Sequence, residues 1–114
     1  FCFRWAQFVG EEELRFATNE IVHLCHYIRL NKHVTDLLIT ATSERLFAAV
    51  RLDSRHTHGT GCTLASACAA GLAQGLTLEA AVARAIDYVR QAIASAPGFG
   101  GGHGPLDHGW PLRR

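Results

Sequence analysis

His56-Thr57-His58-Gly59-Thr60-Gly61-Cys62-Thr63-Leu64-Ala65-Ser66-Ala67-Cys68-Ala69-Ala70-Gly71-Leu72-Ala73 is the stretch on which the reading of this chain turns. Its first part is polar and rich in turn formers, and its second part is a run of small residues. Alanine favours helix and Gly75 is a good stop, so a helix is predicted from about Gly61 to Gln74. Glycines at 59 and 61 permit positive φ and let the backbone approach a ligand. N–H groups at a helix start lack intrahelical acceptors, which suits the loop to an anion such as phosphate. A thiol at Cys62, on the first turn, sits in the same positive field, which favours the thiolate. Donors for phosphate beside a tunable base are the parts needed to move a phosphoryl group to an alcohol. Such transfer leans on positioning and charge stabilisation, with a base taking the hydroxyl proton. The plainer reading stands beside it. A Gly-x-Gly before a helix is common, and a cysteine on an alanine-rich helix is usually packing.

Upstream, Val34 to Thr40 is a β-branched and aliphatic run that reads as a strand. Ala41 to Glu44 is polar enough for a turn, and Arg45 to Leu52 reads as a second strand, so the pair makes a hairpin. From Glu11 to about Arg29, apolar residues at Leu14, Ala17, Ile21, Leu24 and Ile28 fall at helical spacing. Downstream, Thr77 caps a further helix in which Leu78, Val82, Ala85, Ile86, Val89 and Ile93 recur, until Pro97-Gly98 ends it. Gly98 to Arg114 is a glycine-rich loop without predicted regular structure. The elements add up to an α/β unit in which one hairpin is too small to cover the helices. The apolar faces around Cys68 and Val82 are therefore expected to need a partner surface.

The chain has 114 residues, 48% hydrophobic and 18% charged, as one globular domain would. A formal net charge of +1 offers no electrostatic footprint for nucleic acid or an anionic membrane. No apolar run approaches the roughly 18 residues that would cross a bilayer. The four cysteines form no CxxC pair, and reduced thiols in a cytoplasmic protein are the expectation. The chain lacks an initiator Met, as a piece of a longer protein would.

His58-Gly59-Thr60-Gly61-Cys62, with Thr57 before it and Thr63-Leu64-Ala65-Ser66-Ala67 after it, resembles the signature of phosphomethylpyrimidine kinases. The preceding Arg51-Leu52-Asp53-Ser54 is similar to that family's Arg-Ile-Asp-Thr. Ala69-Ala70-Gly71-Leu72-Ala73 and Leu78-Glu79-Ala80-Ala81-Val82 continue the likeness. The ending Pro97-Gly98-Phe99-Gly100-Gly101-Gly102-His103-Gly104-Pro105-Leu106-Asp107-His108 is similar to the family's tail, with Gly101 where a lysine is expected and Asp107 where an asparagine is. The resemblance covers about Asp36 to His108.

It implies the C-terminal part of a ribokinase-like α/β sandwich, here a β-hairpin followed by two helices and preceded by one helix. It further implies an enzyme of thiamin synthesis that transfers the γ-phosphate of ATP, accompanied by Mg2+, to hydroxymethylpyrimidine or its monophosphate. Carried onto this sequence, Gly59, Thr60 and Gly61 form the anion hole for the transferring phosphate, and Cys62 is the catalytic base. Other ribokinase-like kinases use Asp in that place. Small-molecule pyrimidine and ATP are the implied ligands. The implied partner is a second copy or the missing N-terminal portion.

Residues 1–32 do not follow the family's motifs. The expected Asn-x-x-Glu is absent, since Asn19-Glu20 has the wrong spacing, and Leu30-Asn31-Lys32-His33 keeps only the final His of a glycine-rich turn. The chain is therefore divided into 1–32, a helical segment outside the family, and 33–114, the C-terminal portion of a kinase domain. A non-catalytic, kinase-derived remnant that binds nucleotide or a partner is the alternative. Two smaller rivals remain open. His56, His58, Cys62, His103 and His108 are zinc-ligand types, and Asp53 is either a monovalent-cation ligand or an exposed turn residue.

Overall fold

The computed structural model describes residues 2–4, 23–28 and 33–113. The chain divides into two compact units, Phe1–Arg51 and Leu52–Arg114.

The first unit is a four-stranded antiparallel sheet, β1 (Cys2–Arg4), β2 (His23–Ile28), β3 (His33–Ile39) and β4 (Glu44–Val50), paired in chain order. The predicted hairpin is β3 and β4, in register from Ile39 opposite Glu44 to His33 opposite Val50. Its turn is held by Thr40 and Ser43. The Thr40 N–H donates to the Ser43 carbonyl at 2.8 Å, and the Ser43 N–H donates to Thr40 Oγ1 at 3.0 Å, the local bonding that makes such residues turn formers. On β3, Asp36 and Leu38 are the buried positions.

The helix expected over Glu11 to Arg29 is corrected at its C-terminal end, where His23–Ile28 is a strand pairing with β3 along its whole length. Leu24 and Ile28, four apart, satisfy a helical stripe and also an alternating strand. Pairing with a preformed neighbour strand supplies the backbone partners that a local pattern cannot weigh. The rest of that reading, residues 11–22 and Arg29, lies outside the described residues.

The second unit is a helical hairpin with a tail folded back on it. Helix α1 runs Thr60–Ala73 and α2 runs Leu78–Ala94. Gly75, at φ 82°, closes α1, with its N–H on the Leu72 carbonyl at 2.9 Å and the Leu76 N–H on the Gly71 carbonyl at 3.1 Å. These are the two bonds of a Schellman motif. The turn brings the helices close at Gly71, where an added Cβ would lie 2.9 Å from the Ala81 side chain. Small residues at 71 and 81 are what permit that approach.

Ala81, Val82, Ala85, Val89 and Ala92 form the buried stripe of α2, and Cys68 and Gly71 are the buried residues of α1. Cys68 and Val82, the centres of the faces expected to need a partner surface, are 5% and 2% exposed, while Leu64, Leu72, Ile86 and Ile93 are half-buried. Among the described residues, the exposed large apolar side chains are Leu46 and Val50 on β4, and Phe99 and Leu112 in the tail.

The tail is more ordered than its glycine content predicts. The Asp107 N–H donates to the Ala92 carbonyl at 3.0 Å, and Leu106 and Asp107 are buried. Tyr88 Oη donates to the His108 carbonyl at 2.8 Å, and the Trp110 indole N–H donates back to the Tyr88 carbonyl at 3.2 Å. A short 3-10 helix, Trp110–Arg113, follows. Among the described residues no helix is long and apolar enough to cross a membrane.

Candidate functional site

Gly59, Thr60, Gly61 and Cys62 lie together where the chain enters α1. Gly59 takes φ 84°, a left-handed conformation that side chains with a Cβ rarely adopt, and it turns the chain into the helix without a side-chain cap. Thr60 is already helical, one residue earlier than predicted, and Cys62 stands on the first turn.

The loop's polar groups divide into spent and open ones. The Thr60 N–H reaches the Thr57 carbonyl at 3.4 Å, and Thr60 Oγ1 donates to the same carbonyl at 3.1 Å. The Thr63 N–H and Thr63 Oγ1 both donate to the Gly59 carbonyl, at 2.9 and 2.7 Å. The N–H groups of Gly61 and Cys62 have no acceptor among the described residues, as expected for the first turn of a helix. A Cβ built on Gly59 or Gly61 would meet nothing within 4 Å, so the loop faces open space. The Cys62 thiol is exposed. An anion placed there would meet two open donors, the positive end of α1 and the exposed Cys62 side chain.

Cys68, on the same helix, contrasts with Cys62. It is buried, and burial pushes its thiol up to about 11, so it stays protonated.

The sequence rivals fare differently. Among the described residues no group of three or more His, Cys, Asp or Glu side chains is placed to hold a metal ion, so the proposed zinc ligands are not gathered. Two of those histidines are occupied otherwise. His56 Nδ1 accepts the Gly104 N–H at 3.1 Å, and His103 Nδ1 donates to the Arg55 carbonyl at 2.8 Å. Asp53 is exposed, as the turn reading has it.

Sequence reasoning missed that the glycine-rich tail belongs to the surroundings of this loop. His58 and Pro105 form an isolated parallel bridge, and His108 Nε2 stands 3.5 Å from Thr63 Oγ1. The glycine cluster was a signal that the backbone must pass close to something, but what it passes is set by folding. The tail's departure from the family pattern also has a partner here. Asp107 is buried, accepts the Gly109 N–H at 3.2 Å through Oδ1, and is ion-paired with Arg113 through Oδ2.

The profile of the phosphomethylpyrimidine kinase family matches residues 13–107. The match extends upstream of Asp36, into the segment where no family motif is legible. The chain is 56% identical over 77 residues to the hydroxymethylpyrimidine/phosphomethylpyrimidine kinase of Streptomyces coelicolor, covering 68% of this chain and 29% of that protein. It is 38% identical over 78 residues to the enzyme of the same name from Bacillus subtilis, again covering 68% and 29%. It is 48% identical over 73 residues to a thiamine biosynthesis bifunctional protein of Geobacter sulfurreducens, covering 64% and 15%. Among solved structures, the Bacillus subtilis pyridoxal kinase in an ADP complex superposes with a TM-score of 0.69 at 25% identity, over 75% of this chain and 33% of that one. The Staphylococcus aureus pyridoxal kinase in complex with AMP-PCP gives 0.69 at 30% identity, over 74% and 31%. The chain thus spans a third or less of the length of each of these relatives, and it belongs to the phosphomethylpyrimidine kinase family.

Proposed function

We propose that the complete protein is a kinase of thiamin synthesis that transfers the γ-phosphate of ATP to the hydroxymethyl group of hydroxymethylpyrimidine or to its monophosphate. In this reading residues 33–114 form the C-terminal portion of its catalytic domain. The observation that carries the reading is the junction of loop and helix. Open N–H groups at Gly61 and Cys62, a left-handed Gly59 and an exposed thiol stand together at the start of α1. Fixed backbone donors and a helix N-terminus stabilise charge that develops on a transferring phosphoryl group. Cys62 then takes the proton of the attacking hydroxyl, a role that general-base chemistry asks of a group within hydrogen-bond reach of it.

ATP fits the loop through its phosphates. Magnesium has no such fit here. No cluster of acids among the described residues could hold it, so it is assigned to no described side chain and would arrive with the nucleotide. Pyrimidine is favoured over a pyridoxal-type substrate because the relatives named for pyrimidine reach 56% identity, whereas the pyridoxal kinases reach 25–31%. The protein works in the cytoplasm with its thiols reduced, with a second copy or the remainder of the kinase fold as partner. The remnant reading is the one to defeat.

The deciding experiment is a phosphotransfer assay on the complete protein with Mg-ATP and hydroxymethylpyrimidine, then its monophosphate, then pyridoxal. Turnover of the pyrimidines with little of pyridoxal is expected. Nucleotide binding without turnover of any of the three would leave the remnant in place of the kinase.

A further inference from the structure

The tail meets the loop on both of its flanks. Upstream of Gly59, the Arg55 carbonyl, the His56 ring and His58 all engage it, through His103, Gly104 and Pro105 respectively. Downstream, Thr63 lies beside His108. The most enclosed of these contacts is at Gly104, which is buried. A Cβ there would run into His56 Nδ1 and lie 2.8 Å from the Phe99 carbonyl, so no side chain fits without displacing the imidazole or the tail. The opposite edge of the same ring faces Gly98, where a Cβ would lie 3.6 Å from Nε2. Gly98 itself takes φ 75° and Gly100 φ 78°, backbone that folds the tail round the ring. Because Nδ1 accepts the Gly104 N–H, the neutral ring carries its proton on Nε2.

We propose that His56 is a positioning residue, a clamp whose Nδ1 fixes the Gly98–Pro105 segment against the entry to α1 and thereby holds the Gly59–Cys62 donors in the geometry that takes a phosphate. This rests on the reading of that loop as a phosphate site. His56 is half-buried and turned to the tail, so it does not touch the anion itself. It acts through the backbone on either side of the donors. Without it, the Gly104 N–H is left buried and unpaired, a state that folded chains avoid by shifting. The tail then loses its central fixing point, and His58 loses the support of Pro105.

The test uses the full chain, labelled for amide detection and titrated with inorganic phosphate, as wild type, His56→Ala, His56→Asn and Gly104→Ala. In the wild type the Gly104 amide exchanges slowly, and the Gly59, Gly61 and Cys62 amides shift with phosphate. His56→Ala is expected to speed Gly104 exchange by about tenfold or more and to weaken phosphate by several-fold. His56→Asn keeps an acceptor oxygen near the place of Nδ1 and should restore both. Gly104→Ala, which leaves the imidazole in place but pushes the tail off it, should repeat the His56→Ala result. Equal phosphate affinity in His56→Ala and wild type overturns the clamp. So does an Asn variant no better than Ala. Should His56→Ala fail to fold, His56→Asn against Gly104→Ala gives the same decision. A wild type whose loop amides ignore phosphate instead overturns the site reading on which the clamp rests.

Discussion

Two helix N-termini sit in the same hairpin and are finished in opposite ways. At α2, Thr77 Oγ1 accepts the Ala80 N–H at 3.3 Å and Glu79 adds an acid in the first turn, so side chains of the helix itself answer part of its positive end. At α1 there is no side-chain cap and no acid in the first turn, only a left-handed Gly59. A side-chain cap meets one of the first-turn donors of α2, whereas α1 forgoes such a cap, as the proposed anion site would require. The two helices differ in the same sense along their length. The α2 helix buries a full apolar stripe, while α1 buries only Cys68 and Gly71 and relies on close approach.

The sharpest test of that contrast lies within α1. Under the proposed mechanism, Cys62→Ala in the complete protein should lower kcat by about 10²–10⁴-fold with KM for ATP little changed, because only proton removal would be lost. Cys62→Asp should keep part of the rate. Cys68→Ala should cost about 1 kcal/mol of packing and almost no rate. An alkylating reagent at neutral pH should accordingly label Cys62 and spare Cys68, whose raised pKa keeps it a thiol. Identical kinetics for the two alanine variants would make Cys62 a packing residue.

Closing the open end should matter next. Gly59→Asp gives α1 an acidic cap of its own and places a carboxylate where phosphate would bind. Phosphate affinity, followed by amide shifts, should fall by about tenfold or more. Thermal stability should move by less than about 1 kcal/mol, since Asp tolerates the left-handed region better than most residues and gains a cap. Unchanged phosphate affinity would mean that the open end of α1 is not the site.

The third variant probes the close approach. Gly71→Ala introduces a Cβ 2.9 Å from Ala81, and overpacking of this kind costs about 1–3 kcal/mol, against about 1 kcal/mol gained from the better helix former. A net loss of about 1 kcal/mol in urea unfolding is expected, and a stabilised variant would show that the helices can separate freely there. Thr77→Ala should cost a similar amount, about 1 kcal/mol of stability, with phosphate binding untouched. If it weakened phosphate as much as Gly59→Asp, the division between a closed and an open N-terminus would fail.

Local chemistry was legible where the signal was short in range. The helix breaks at Gly75 and Pro97-Gly98, the Thr77 cap and the hairpin over Val34–Leu52 were readable because each depends on neighbours in sequence. The strand at His23–Ile28 was not, because its spacing fits two periods and only pairing with β3 chooses between them. The candidate site divides the same way. Gly59-Thr60-Gly61-Cys62 could be found as a loop at a helix start, whereas nothing in the local sequence announces that His56 meets Gly104, 48 residues away.

By itself, then, the sequence determined the two helices and their ends, the glycine-built entry to α1, and the motif that places the chain in its kinase family. Propensity, capping and φ preference act over a few residues and need no fold to express them. Tertiary structure alone decided that, of the two thiols on α1, Cys68 is buried and Cys62 is open. It decided that Asp107 is answered by Arg113, and that the glycine-rich tail returns to brace the loop. Those outcomes depend on which distant surfaces exclude water from a side chain or leave a buried N–H in need of an acceptor, and only a folded chain poses that question.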